Sequence, residues 1–325
     1  MRSSIYKIFA SLERKETNQN SFFATALPFT KKHKIGISPE GFPVFFIECD
    51  DAMPSLDINL EFISVLFYRT CKLYENNKYS ENIYTIVSLK TGNIDFQRYF
   101  LDIVCVVLEQ LPFNPSHKQL KTEIQKLIDL FSQFNRPPRK SIQGLWAELL
   151  IIEQAKSPEY LIQSWHSSPD DRFDFNDGYD KIEVKSTSTV HRIHTFALEQ
   201  LNPNKNTNLL IASIFVIQTG QGKNIFDMIN SICKRTQDLQ LQFRLNEIVA
   251  QTLGNDFDKV FDIYFDYQQA LDTIAFFNSK DIPTISNDCI PEEISNIRLD
   301  CDLSNIKAIK NKFLDISQSA LFRSL

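Results

Sequence analysis

Asp174-Phe175-Asn176-Asp177-Gly178-Tyr179-Asp180-Lys181-Ile182-Glu183-Val184-Lys185-Ser186-Thr187 is the stretch on which the fold turns. Residues 179 to 187 read as a strand. Ile182 and Val184 then point into a core, while Lys181, Glu183 and Lys185 share the opposite face. Asn176-Asp177-Gly178 is a turn signal that folds the short strand candidate Arg172 to Phe175 back onto it. A four-residue loop, 176 to 179, predicts Asp174 opposite Lys181 and diagonal to Glu183. Two carboxylates and an ammonium then converge. A one-residue slip of this register turns Asp174 to the other face.

Two close carboxylates repel one another and gain from a shared divalent cation. Hard oxygen ligands suit Mg²⁺, with Mn²⁺ as a substitute. Such an ion supplies charge against a scissile phosphate and lowers the pKa of a water. Lys185 is placed to orient that water or to stabilise the transition state. A bare Glu-x-Lys triplet is cheap, since Glu13-Arg14-Lys15 matches it as well. That triplet lacks strand alternation, a hairpin and an upstream acid, and reads as a solvated helix face. Alone, Glu183-Val184-Lys185 is more often a surface ion pair. Together with Asp174, the turn and the apolar alternation it points to phosphodiester hydrolysis.

Upstream, Ser141 to Ala155 reads as a helix that carries Gly144-Leu145-Trp146-Ala147-Glu148-Leu149-Leu150-Ile151-Ile152. Glu148 falls beside its apolar stripe. It is either a buried acid that needs a cation or a metal water, or an exposed acid at the helix edge; spacing leaves both open. Short strands are expected at Glu159 to His166 and Arg172 to Phe175. A short helix opens over Phe196 to Leu201, and Leu209 to Ile217 reads as a strand buried on both faces. His191 and His194 lack a third nitrogen or sulfur ligand in spacing, so a DNA-facing or simply polar role is expected of them. Gln200 is either a hydrogen-bond partner of a metal water or phosphate, or a helix-surface amide.

Residues 1–136 read as an α+β unit. An amphipathic helix around Ile5, Ile8, Phe9 and Leu12 leads into a hairpin around Pro39-Glu40-Gly41. Strands follow over Asp57 to Phe62 and Ile83 to Leu89, then two helices with stripes from Phe96 to Leu111 and Leu120 to Phe131. Arg136-Pro137-Pro138-Arg139 breaks the pattern, so a second domain is expected over 137–325. Beyond residue 220, helices are expected at Asn224 to Arg235 and Leu239 to Gln251, strands at about 260–267 and 271–278, a strand at Ile297 to Leu303, and a last helix from near Asn305.

Eight glycines in 325 residues form no GxxxxGK[ST] or GxGxxG loop, which argues against a nucleotide-driven motor or a dinucleotide enzyme. The 27 phenylalanines read as core filling. A net charge of −5 means that any nucleic-acid contact comes from local basic runs. Candidates are Lys31-Lys32-His33-Lys34 and Arg136-Pro137-Pro138-Arg139-Lys140, each more simply a solvated loop. The six cysteines show no CxxC or zinc spacing, and the longest apolar run is too short for a bilayer. A cytoplasmic protein with no membrane contact is expected.

The set Gly144-Leu145-Trp146-Ala147-Glu148-Leu149, Asp174-Phe175, Ile182-Glu183-Val184-Lys185-Ser186-Thr187, His194 and Glu199-Gln200-Leu201 resembles a bacterial PD-(D/E)XK family found in restriction-modification and phage-defence gene clusters. Asn296 to Leu303 is similar to that family's closing strand. The resemblance implies a restriction-endonuclease-like αβββαβ core with a mixed central sheet, after an α+β N-terminal region and before a C-terminal elaboration of helices and strands. It implies a Mg²⁺-dependent endonuclease acting on DNA. Asp174, Glu183 and the Val184 backbone carbonyl would be metal ligands, Lys185 the catalytic lysine, Glu148 an additional acid acting directly or through water, and Gln200 a supporting residue. Implied partners are DNA and other subunits of a defence system, with a homodimer as a further option. The family also admits members that bind DNA without cutting it, so an inactive DNA-binding or scaffold subunit is the alternative. Pro-Asp occurs here as Pro169-Asp170, and Asp174 follows no proline, which leaves Asp170 and Asp171 as rivals for the first ligand.

Overall fold

The structure is a computed structural model that describes residues 2–12, 21–49, 55–75, 78–112, 115–166, 171–202, 207–286 and 290–325. Asp170, Glu13-Arg14-Lys15 and Cys289 lie outside the described residues. The chain forms two compact units, Met1–Arg136 and Pro137–Leu325, in an overall α+β architecture.

In the first unit, α1 (Arg2–Ala10) precedes β1 (Ser21–Leu27), β2 (Thr30–Ile37), β3 (Pro43–Glu48), β4 (Ile58–Asn59), β5 (Ile63–Glu75) and β6 (Lys78–Leu89). The strands run in the order β1-β2-β3-β6-β5-β4, and a parallel β1–β5 pairing closes five of them into a ring. Helices α2 (Ile94–Glu109) and α3 (His117–Ser132) follow, each started by a side-chain cap from Asn93 or Ser116. Phe45, Phe96, Phe100, Phe131 and Phe134 are fully buried here, so the abundant phenylalanines do fill cores. The Lys31–Lys34 run is not a solvated loop. It lies on β2, His33 is buried, and Lys34 is buried against Glu75 at 2.5 Å.

The second unit begins with α4 (Ile142–Gln154) and α5 (Pro158–Ser164). It continues through β7 (Phe175–Asn176), β8 (Lys181–Thr187), β9 (Ile193–Ala197), α6 (Leu198–Leu201), β10 (Leu209–Phe215) and β11 (Gln218–Thr219). Then come α7 (Ile225–Arg235), α8 (Leu239–Leu253), β12 (Tyr264–Phe265), α9 (Tyr267–Thr273), β13 (Ala275–Asn278), β14 (Arg298–Asp302), α10 (Asn311–Asp315) and α11 (Ala320–Arg323). The central sheet is mixed, in the order β13-β10-β8-β7, with β8 and β10 parallel and the other two pairings antiparallel. Every residue of α4 from Leu145 to Glu153 is buried, as expected of a helix that is apolar all round. Its Gln143 donates to Ser186 Oγ at 3.1 Å, so α4 covers the Ile182–Val184–Ser186 face of β8.

Several expected elements differ. Of the strand expected at Glu159 to His166, residues up to Ser164 belong to the helix α5, which Pro158 opens and whose Leu161 and Ile162 are buried, while Trp165 alone makes an isolated antiparallel bridge with Phe175. Arg244 donates to the carbonyls of Ile162 and Trp165 and so caps its end. Residues 254–262 form a 3-10 helix, leaving only Tyr264–Phe265 of the strand expected at 260–267; α9 takes the front half of the 271–278 strand. The last-helix expectation near Asn305 moves to Asn311. The third consecutive strand, β9, pairs with β14 in a separate ribbon, whereas the central sheet takes only β7 and β8 of the three. Phe196, Leu299 and Cys301 of that ribbon pack with Ile211 and Phe277 of the sheet.

Phe175 ties the hairpin to α5, since it is fully buried and stacks on Trp165 with ring centroids 6.3 Å apart. Phe175→Ala is therefore expected to lower stability by about 3–5 kcal/mol, read from chemical denaturation midpoints at constant slope.

Candidate active site

The β7–β8 hairpin sets the site. Phe175 pairs with Ile182 and Asn176 with Lys181. Asn176 rather than Asp174 thus faces Lys181, a shift of two residues from the expected register; Asp174 precedes the pairing, in a bend, and reaches β8 through its side chain. The turn explains the shift. Asp177 Oδ1 accepts the N–H groups of Tyr179 and Asp180, and Gly178 adopts φ +93°, which makes the loop 177 to 180. The expected burial of Ile182 is found, while Val184 is only half-buried.

Asp174 and Glu183 are both 5% exposed and Glu148 is 2% exposed, so three acids lie in a dry pocket. Glu148 is thus a buried, partnered acid and not an exposed edge residue. Its Oε2 accepts from Trp165 Nε1 at 2.7 Å and meets His166 Nε2 at 3.3 Å. Its Oε1 accepts from Lys140 Nζ at 2.7 Å, and the same ammonium donates to Asp174 Oδ1. Asp174 Oδ2 accepts the Val184 N–H at 2.7 Å. Because the N–H and C=O of one strand residue face the same neighbour, the Val184 carbonyl is directed to Asp174's side as well. Glu148, His166 and Asp174 present ligand atoms within 4.8 Å of one another.

On the strand face, Glu183 Oε1 is 2.7 Å from Lys185 Nζ and accepts from Gln200 Nε2 at 2.6 Å. Gln200 is no idle surface amide. It also donates to the Arg172 carbonyl, and its Oε1 accepts from Ala197 N and, at 3.4 Å, from Lys185 Nζ. Lys185 lies over the Phe196 ring, 5.0 Å from its centroid. Glu183 Oε2 is buried and has no hydrogen-bond partner among the described residues. An orphaned carboxylate oxygen beside two further acids is what a hard divalent cation fits.

The electrostatics divide the acids. Burial raises the Asp174 pKa well above the usual carboxylate value, and the charges of Glu148 and Glu183 push it further. Burial also works against ionised Glu148, but hydrogen bonds and charge from His166 and Lys140 outweigh it and hold its pKa low. Burial opposes the charge on Lys140 too, yet Asp174 and Glu148 overcome this and raise its pKa. Of these groups, Asp174 is the one whose burial and acidic neighbours disfavour its charged form, while the two acids favour the charged form of Lys140.

Asp171, the described rival to Asp174, is exposed, whereas Asp174 is buried. His194 does not face DNA: it is buried, bonds Ser213 Oγ at 2.7 Å, and burial together with Lys185 and Arg192 lowers its pKa to about 4. His191 is exposed. Sequence reasoning missed His166, whose only signal is adjacency to an apolar Trp. It also read Lys140 as part of a solvated basic run, where the structure turns its ammonium inward.

Among the described residues, no helix is long and apolar enough to cross a membrane. No curated protein and no solved structure matches the chain. One family does, over residues 5–304, nearly the whole sequence. With that span, the chain belongs to the family described as "Putative PD-(D/E)XK family member, (DUF4420)".

Proposed function

We propose that the protein is a divalent-metal-dependent endonuclease that hydrolyses DNA phosphodiester bonds within a restriction or anti-phage defence system in the cytoplasm. The observation that carries this reading is the buried Oε2 of Glu183, which has no hydrogen-bond partner among the described residues and lies on a carboxylate paired with Lys185. Asp174, Glu183 and the Val184 carbonyl would hold Mg²⁺ or Mn²⁺, with Glu148 behind Asp174. The order over α4 to β10, two helices, three strands, helix, strand, supports a restriction-endonuclease-like core with α5 inserted after its first helix. The ion, when bound, supplies positive charge against the phosphate and lowers the pKa of a water.

The chain's own groups do the remainder. Gln200 holds Glu183 Oε1 and the Lys185 ammonium in a fixed relation, which leaves Glu183 Oε2 aimed outward from that network. Lys185, cationic and half-buried over Phe196, orients the attacking water or neutralises charge on the phosphate. Trp165 and His166 keep Glu148 ionised.

A second reading, an inactive DNA-binding or scaffold subunit, is favoured by one observation: Lys140 already neutralises Glu148 and Asp174, so the acids are satisfied without metal. A Mg²⁺-dependent nicking assay on supercoiled DNA separates the two. Cleavage that Glu183→Ala abolishes supports the enzyme; salt-sensitive DNA binding with no cleavage at any Mg²⁺ concentration supports the scaffold.

Within the enzyme reading, Glu183→Ala is expected to remove metal binding and activity together. Lys185→Ala is expected to leave metal binding largely intact but slow cleavage by roughly 10²-fold or more, the usual scale for one positioned electrostatic or acid–base group. An unchanged rate for Lys185→Ala at saturating Mg²⁺ would remove its catalytic role. Gln200→Ala frees both Glu183 Oε1 and Lys185 and is expected to lower the rate by about 10-fold through misplacement, measured under the same conditions.

A further inference from the structure

We propose that Lys140 is the resident counter-ion of the metal-free site, and that a divalent cation binds by displacing its ammonium from Asp174. The inference rests on the metal-site reading above and adds how that site is regulated. Three carboxylates offer six oxygens. Glu148 Oε1 and Asp174 Oδ1 share Lys140, and Glu148 Oε2 is held by Trp165 and His166. Asp174 Oδ2 is held by the Val184 N–H, and Glu183 Oε1 by Lys185 and Gln200. Only Glu183 Oε2 is without a partner. One oxygen is too few for a divalent ion, which needs at least one from Asp174 as well.

The two Asp174 oxygens are not equally available. The partner of Oδ2 is a backbone N–H fixed in β8. The partner of Oδ1 is the end of a flexible side chain, 32% exposed, on the segment just before α4 that lies in no helix or strand. An ammonium and a metal ion on one carboxylate oxygen would sit at most about 5 Å apart, given ordinary N–O and metal–O lengths. Like charges at that range in a dry pocket repel strongly. Lys140 is therefore the group that yields. While in place it keeps two buried acids neutralised; once out, it leaves their oxygens to the ion.

The test measures binding, not cleavage. Mn²⁺ is titrated calorimetrically into the full chain as wild type, Lys140→Met, Lys140→Arg and Glu183→Gln. Removing the competing cation is expected to tighten Mn²⁺ binding about tenfold or more in Lys140→Met, while Lys140→Arg stays near wild type. In the wild type, acetylation of Lys140 by a water-soluble amine-reactive ester, followed by peptide mass spectrometry, is expected to rise several-fold as Mn²⁺ saturates. This second measurement needs no variant to fold. Equal or weaker Mn²⁺ binding by a folded Lys140→Met, or Lys140 acetylation that does not rise with Mn²⁺, overturns the displacement. If Glu183→Gln still abolishes binding in that case, the metal site itself stands. Absence of Mn²⁺ binding in every form, Lys140→Met included, overturns both.

Discussion

Burying three carboxylates within reach of one another is the constraint around which the second unit is arranged. Glu148, Asp174 and Glu183 are each 5% exposed or less, and like charges without water between them cannot all stay ionised unless cations or donors reach them. Each neighbouring element supplies one. The segment before α4 gives Lys140, the end of α5 gives Trp165 and His166, β8 gives Lys185 and the Val184 N–H, and α6 gives Gln200. Arg244 of α8, by capping α5, fixes the pair that faces Glu148. The site is thus held by five separate stretches of chain, and its rigidity is that of the unit's packing.

A buried acid elsewhere in α4 makes a useful contrast. Glu153 is also buried, and Lys223, Tyr267 and Gln154 satisfy it at 2.6–2.9 Å. It leaves no oxygen over. What sets the cluster of Glu148, Asp174 and Glu183 apart from Glu153 is one unsatisfied atom, Glu183 Oε2, and not the amount of charge buried. Burial alone would not separate the two.

Much of this was legible from the chain, and for identifiable reasons. The strand 181–187, the turn at Gly178 and the helix over 141–155 follow from alternation, a positive-φ glycine and continuous apolar character, each a local signal. The expected pairing of Asp174 with Lys181 is two residues off because the turn is held over 177 to 180, one position further along than expected. Short apolar segments failed: 159–166 and 260–267 carry too few residues to distinguish a period of two from one of three or more. The β9–β14 ribbon places residues about a hundred positions apart side by side, and although Ile297 to Leu303 was read as a strand, nothing local named its partner. Lys140 was hidden for another reason. Its neighbours Arg136, Arg139 and the prolines look like solvent-exposed chain, and only the acids it meets 8 and 34 residues later turn it inward.

The ribbon has a consequence for how the protein comes into being. Gln200 is placed by α6, which continues directly from β9, and Leu198 N–H is held by the Ile297 carbonyl. As a nascent chain leaves the ribosome, α4, the β7–β8 hairpin and the acids they carry emerge well before β14 does. At the usual elongation rate of about 5–20 residues per second, β9 waits several seconds for its partner. During that interval Glu183 and Lys185 lack the amide that aligns them. The contacts of Gln200 with Glu183 and Lys185 are thereby completed only after β14 has emerged.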